Sequence, residues 1–230
     1  MDIFTTAGEL IRNFDVLQAF GFTILLTLFG AVGSFLIGVV VAILRVSPVP
    51  ALRFFGTAYV NLIRNTPLTI VIFFCVFGLM LSMNWYLLPA GVDLKWQNFM
   101  WGGIGLSIYH ATFVAEALRS GINTVPLGQA EAARAIGLSF LGTVREVVLP
   151  QALRGAIAPL GNTLIALTKN TTVVATIAAI EASAAMRQMI EFRPDALFLS
   201  FFIIAVGFVI LTLPVGVLFT RLSKKLAVAR

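Results

Sequence analysis

The chain is 230 residues long, 59% hydrophobic and only 11% charged, with a formal net charge of +6. A soluble domain of this size carries charge at about one residue in four, so this much apolar surface has no place inside one water-facing globule. The composition argues for an integral membrane protein and against a nucleic-acid binder, because the basic residues fall in loops between apolar runs.

The one cysteine, Cys75, lies inside an apolar run. It excludes an internal disulfide, argues against a metal cluster, and reads as a buried packing residue. Residues 1–15 are polar and mixed in sign with no cleavable signal pattern, and the apolar run that follows is long enough to direct insertion itself.

Spans are sought as nearly charge-free runs of about 20 residues, the length that crosses the hydrocarbon core. The first covers residues 16–44, between Asp15 and Arg45, with Gly21, Gly30, Gly33 and Gly38 recurring as expected where helices approach closely. Ser47-Pro48-Val49-Pro50 and Arg53 interrupt the chain before a second span over 57–84, with Arg64 and Pro67 near its beginning. Trp85, Tyr86, Trp96 and Trp101 gather around a loop bearing Asp93 and Lys95 and mark one membrane interface. The third span, 99–119, contains His110 and Glu116. A polar stretch over 120–150 separates it from the fourth span, 152–180, which is interrupted by Lys169. A charged loop with Glu181, Arg187, Glu191, Arg193 and Asp195 leads to the fifth span, 196–220, where Pro214 predicts a bend. The fold class is therefore all-α: one domain over 1–230, a bundle of five transmembrane helices.

Five spans put the termini on opposite sides. One side receives Arg45, Arg53, Arg64, Arg119, Arg134, Arg145, Arg154, Arg221, Lys224, Lys225 and Arg230; the other receives only Arg12, Lys95, Arg187 and Arg193. The positive excess makes the first side cytoplasmic, so the N-terminus is outside, the C-terminus inside, and the 120–150 loop faces the cytoplasm.

That loop has strong local signals. Pro126 suits the first turn of a helix, and Gln129-Ala130-Glu131-Ala132-Ala133-Arg134-Ala135 has high helix propensity. Gly137 suits a left-handed helix end, and Ser139 suits the cap of a second short helix over about 140–149, with Pro150 stopping it. Helix, sharp turn and helix with an alanine-lined face fit a surface that a partner in water approaches closely. From these residues alone an ordinary connector fits equally well.

A resemblance shifts that balance. Glu131-Ala132-Ala133, three residues, Gly137, nine residues, Val147, one residue, Leu149-Pro150 resembles the cytoplasmic motif of ABC-importer permeases, with Val147 where that motif has isoleucine. Arg64-Asn65-Thr66-Pro67-Leu68, Ala115-Glu116, Arg119-Ser120-Gly121-Ile122, Leu149-Pro150-Gln151-Ala152-Leu153-Arg154 and Lys169-Asn170-Thr171-Thr172 look like the branch that handles histidine, glutamine, glutamate, arginine and opines. The resemblance runs from about Gly21 to Leu218, and the wording is most similar to glutamate-uptake members.

It implies the type I ABC importer permease fold in a bacterial plasma membrane, translocating polar amino acids by alternating access. It also implies a cytoplasmic coupling helix in which Gln129, Glu131, Ala132, Ala133, Arg134 and Gly137 meet an ATPase. The implied partners are two ATPase subunits, a second permease chain (the same or a sister), an extracytoplasmic amino acid binding protein and membrane lipid, without nucleic acid. The resemblance implies no catalytic residue and no metal site in this chain. The sequence holds no Gly-x4-Gly-Lys-Ser/Thr, so ATP and Mg belong to the partner ATPase. The alternative function is an ATP-independent secondary transporter or channel, although the paired repeats of secondary transporters are not visible. An intramembrane enzyme lacks a convincing catalytic set.

Ionisable and polar groups within spans are costly and face a bundle interior or a wet cavity. The pathway candidates are Lys169, Glu116, His110, Asn162 and Thr171. Lys169 either lines the pathway and meets a carboxylate or forms a structural ion pair. Glu116 either pairs with Arg119 or Arg64 or contacts a substrate ammonium group. His110 either titrates near neutrality in contact with substrate or is a hydrogen-bonded packing residue. Met186 and Met189 read as packing residues.

Overall fold

The computed structural model describes residues 3–226, which are helices and their connecting turns, with no strand among them. In chain order these are α1 (Ile3–Asn13), α2 (Val16–Val46), α3 (Pro50–Arg64) and α4 (Leu68–Phe73), which continues as a π-helix over Phe74–Ser82. Then come α5 (Leu94–Ile122), α6 (Leu127–Ala135) and α7 (Phe140–Thr143), which runs through a π segment, Val144–Val148, into α8 (Leu149–Asn170). A 3-10 segment, Thr171–Ile177, then α9 (Ala182–Phe192), a 3-10 turn, Pro194–Ala196, and α10 (Leu197–Leu226) complete the chain.

The N-terminal stretch, polar and mixed in sign in the sequence, contains a helix. Ile3, Ala7, Leu10 and Ile11 recur at helical spacing, so α1 has one apolar face. That face buries Leu10 in a cluster with Val16, Ala182, Met189, Ala196 and Ile204, which also accounts for Met189. Asp15, with a φ of 47°, then turns the chain into α2.

The α2 and α10 segments Val16–Val46 and Pro194–Leu226 are each long and apolar enough to cross a bilayer. Residues 57–84 are not one straight span. The chain bends by 103° between α3 and the α4 segment, at Asn65-Thr66-Pro67. Pro67 has no N–H to continue the ladder and pushes Thr66 out of the helical region. The fourth segment, 152–180, likewise ends its α-helix at Asn170, tightens to 3-10 and stops at Ala178, and α9 departs at 54°. Ala178 takes a left-handed conformation, φ 56°, which costs an alanine roughly 1–2 kcal/mol. Helix α10 continues through Pro214. Arg230, counted among the cytoplasmic charges, lies outside the described residues.

Helix α5 is the axis of the bundle. It is 29 residues long, and Leu106, His110, Ala111 and Ala115 are buried along it. At its start Asp93 caps the helix by accepting the Lys95 N–H at 2.9 Å, and that backbone hydrogen bond holds the carboxyl below its ordinary value. Helix α2 lies against α5 where α2 has glycine: a Cβ on Gly33 would sit 2.3 Å from Ser107 Oγ, and one on Gly38 2.6 Å from Val114 Cγ1. Gly21 is different, since a Cβ there would meet nothing within 4 Å. One core cluster joins Leu26 of α2, Ile72, Cys75 and Met80 of the second segment, Leu106 of α5 and Val174. Trp101 belongs to this core at 4% exposure, so it does not mark the interface as expected, whereas Trp85 and Trp96 are exposed. It packs inward because α5 is central and presents core-facing residues on most of its circumference. The outward faces of α2 and α10 are exposed Leu, Val, Ile and Phe, as a lipid-facing surface requires.

Candidate functional site

Helix α6 starts at Leu127, with Pro126 one residue before it rather than in its first turn; Pro126 offers its carbonyl to the Gln129 N–H at 3.0 Å. Gln129, Glu131, Ala132 and Arg134 are exposed, and Ala133 alone of the motif is buried. Glu131 and Arg134 make no ion pair among the described residues. Gly137, at φ 97°, ends the helix: its N–H donates to Arg134 O at 3.0 Å while Leu138 N–H donates to Ala133 O at 3.1 Å. These are the paired bonds of a left-handed glycine stop.

Ser139 Oγ accepts the Gly142 N–H at 3.1 Å and so starts the second helix. That helix does not stop at Pro150. It widens to a π segment over Val144–Val148 and passes into α8, where Pro150 occupies the first turn. Proline fits there because the first-turn N–H groups of a helix lack an intrahelical acceptor.

The loop is locked to the bundle at its base. A Cβ on Gly121, at the end of α5, would lie 2.2 Å from Ala152 O, and one on Gly155 would lie 2.6 Å from Thr124 Oγ1. Gln151 Nε2 donates to Gln129 Oε1 and, at 3.0 Å, to Val147 O, tying α8 to α6. Thus α5 and α8 meet closely at the base of the loop, and α6 reaches α8 through Gln129. The sequence reading missed the apolar knobs beside the motif: Leu127 and Ile136 are each 82% exposed, and Phe140 67%. The available signal was large apolar residues flanking an otherwise polar, water-facing loop.

Glu116 accepts hydrogen bonds from Arg45 of α2 and from Arg119, whose Nη2 is 2.9 Å away. Arg64, the other partner considered, instead places its guanidinium 5.6 Å from the centre of the Phe113 ring. The remaining pathway candidates do not converge. Asn162 and Lys169, seven residues apart, share an exposed stripe of α8 with Arg154 and Ala158, and Lys169 makes no ion pair among the described residues. His110 is 1% exposed, its Nε2 3.2 Å from Asn170 Nδ2 and its Nδ1 unpartnered. Thr171 is buried and donates to Thr168 O at 2.8 Å. Among the described residues no group of three His, Cys, Asp or Glu side chains is placed to hold a metal ion.

A family model described as "Binding-protein-dependent transport system inner membrane component" matches residues 34–228. The glutamate transport system permease protein GluC of Corynebacterium glutamicum is 51% identical over 94% of this chain and 96% of its own length. The probable glutamine ABC transporter permease protein GlnM of Bacillus subtilis is 33% identical over the same shares, 94% and 96%. Among solved structures, one described as an amino acid ABC transporter with histidines superposes with a TM-score of 0.83 at 25% identity, covering 98% of this chain and 99% of the other. A chain of the MetNI methionine ABC transporter superposes with a TM-score of 0.75 at 20% identity, covering 95% and 98%, which bears on the fold alone.

Proposed function

The chain belongs to the family of binding-protein-dependent transport system inner membrane components, and from that premise we propose that it is the permease through which an ABC importer takes up glutamate. It is an ABC importer permease of amino acid type, an inner-membrane subunit with the type I fold. Such an importer works with an ATPase and a binding protein. Two ATPase subunits beneath, a second permease chain alongside and an extracytoplasmic binding protein above make up the complex we infer.

The observation that carries the mechanism is the water-facing α6 unit, exposed at Gln129, Glu131 and Arg134 yet locked at its base to α5 and α8. Closure of the ATPases on ATP drags the α6 units of two permeases together. The rigid base passes that motion to α5 and α8, and the cavity between the permeases turns outward to receive the amino acid. Hydrolysis of ATP, held with Mg by the ATPase, resets it. Glutamate is favoured as cargo by the 51% identity to a glutamate permease, and the exposed Lys169 ammonium suits a second carboxylate.

The test is reconstitution of the permease with its ATPase and binding protein in proteoliposomes. Uptake of radiolabelled glutamate, driven by internal ATP and dependent on the binding protein, is the expected result. Uptake without ATP would sink the importer reading, and uptake of another amino acid alone would sink glutamate as the cargo.

A further inference from the structure

At the end of the bundle opposite α6, the α1–α2 joint, the turn after the 3-10 segment and α9 enclose an open cavity of about 540 Å³. Its charged lining is Asp15, Glu181 and Glu191 against one cation, Arg187. None of these four makes an ion pair among the described residues. Among the described residues the acids at this end outside the cavity have ion-pair partners: Asp93 has Lys95 at 3.1 Å, while Asp195 and Glu9 share Arg193, at 2.9 and 4.0 Å. Among the described residues, the exposed acids at this end that have no ion-pair partner, Asp15 and Glu191, are therefore gathered in one concave place, on a chain that is +6 as a whole.

The mouth of the cavity is built for contact from outside. Asp15, Arg187 and Glu191 are exposed, and the two glutamines of the lining, Gln18 and Gln188, are exposed as well, placing amide groups where a visitor can reach them. Glu181 is fully buried at its floor, where its carboxylate accepts the Ser183 and Ala184 N–H groups at 2.8 and 2.7 Å. That caps the start of α9, the helix that carries Arg187 and Glu191. Asp15 and Ala178, both in the lining, hold left-handed backbone. A net-negative, preorganised socket attracts a cation and repels a free acidic amino acid.

We propose that this cavity is the docking socket for a basic side chain, lysine or arginine, on the extracytoplasmic binding protein. The assignment rests on the binding-protein-dependent import proposed above. In it, Asp15 and Glu191 steer and hold the incoming cation, and Arg187 opposes it and sets the register by rejecting a misplaced one. The socket then acts on association of the binding protein and leaves the carried amino acid to be recognised elsewhere.

The experiment titrates glutamate-loaded binding protein against the ATPase activity of the reconstituted complex. For Asp15→Asn with Glu191→Gln, the half-saturating concentration rises about tenfold or more while the maximal stimulated rate is kept. Arg187→Gln and Gln188→Glu move it the opposite way, a signature that a merely structural role does not produce. Because those two variants are expected to gain affinity, a folding failure of the acid variants leaves the proposal testable. The wild-type half-saturating concentration also rises as salt is raised from about 0.05 to about 0.5 M.

An unmoved half-saturation across the four substitutions overturns the socket. Loss of maximal rate at unchanged half-saturation overturns it as well and places the cavity on the substrate path. A wild type that no binding protein stimulates instead overturns the importer reading itself.

Discussion

Glu116 on α5 receives Arg45 from the end of α2, a residue 71 positions earlier in the chain. Arg119, one turn along α5, holds the other carboxylate oxygen at 2.9 Å. One acid thus ties two helices together beside the base of the α6 loop, with its side chain 24% exposed. Glu116→Gln leaves two guanidinium groups partly desolvated against a neutral amide. We expect a loss of about 1–2 kcal/mol, reduced from a fully buried pair by its access to water. Thermal unfolding of the purified complex reads it. A substrate-contact role would instead leave the unfolding midpoint unchanged and alter uptake.

The glycines make a sharper contrast. Gly121→Ala drives a Cβ to 2.2 Å from Ala152 O and forces α5 and α8 apart at the base of the loop. A loss of about 2 kcal/mol or more is expected, because a backbone atom, unlike a flexible side chain, does not yield. Gly21→Ala meets nothing within 4 Å in the interior of α2 and is expected to be neutral or to stabilise by about 0.5–1 kcal/mol. Denaturant or thermal titration of the two variants decides it, and equal effects would mean that α5 and α8 are not in close contact at Gly121.

That contrast shows where the sequence was readable. The glycines of α2 were visible as a set, but which of them touch α5 depends on residues far along the chain, such as Ser107 and Val114. Within the 120–150 loop Gly137 and Ser139 were legible because they act through local hydrogen bonds, whereas Pro126 lies just before its helix and Pro150 starts α8 instead of stopping the helix before it. The 103° bend at Pro67 was only half legible: proline announces a break, while its direction is fixed by packing of Leu68 and Ile72 against the core. Helix α1 was hidden because its apolar spacing is interleaved with Glu9 and Arg12 in a short segment. The Arg45–Glu116 pair joins distant positions and left no local trace.

Leu127 and Ile136 stand in water at 82% exposure each, at opposite ends of α6. Leu127→Ser with Ile136→Ser removes apolar area that a groove on an ATPase would cover, at about 1.5 kcal/mol or more per side chain. The expected result is at least a tenfold weaker association of the ATPase, measured by co-purification or biolayer interferometry, with the unfolding midpoint of the permease unchanged. Glu131→Lys, on the same exposed helix, is expected to uncouple ATP hydrolysis from uptake. Intact assembly and transport in both variants would remove the coupling role from α6.

Lys169 and His110 were both pathway candidates with a structural role as the alternative for each, and the structure gives them different surroundings. Lys169 is exposed on the α8 stripe with Asn162 and makes no ion pair among the described residues, whereas His110 is 1% exposed and bonded to Asn170. A cavity-lining cation acts on the cargo after the binding protein has released it, so its loss separates transport from ATP hydrolysis. Lys169→Gln is therefore expected to lower glutamate carried per ATP by about tenfold, the worth of one charge-assisted hydrogen bond, while stimulated ATPase activity persists. His110→Gln changes packing inside α5, so it is expected to lower the unfolding midpoint and leave the ratio of transport to hydrolysis alone. Paired measurements of uptake and phosphate release in the same proteoliposomes read both. The reverse pattern, with His110 controlling the ratio and Lys169 only the stability, would place the pathway on the α5 side of the bundle.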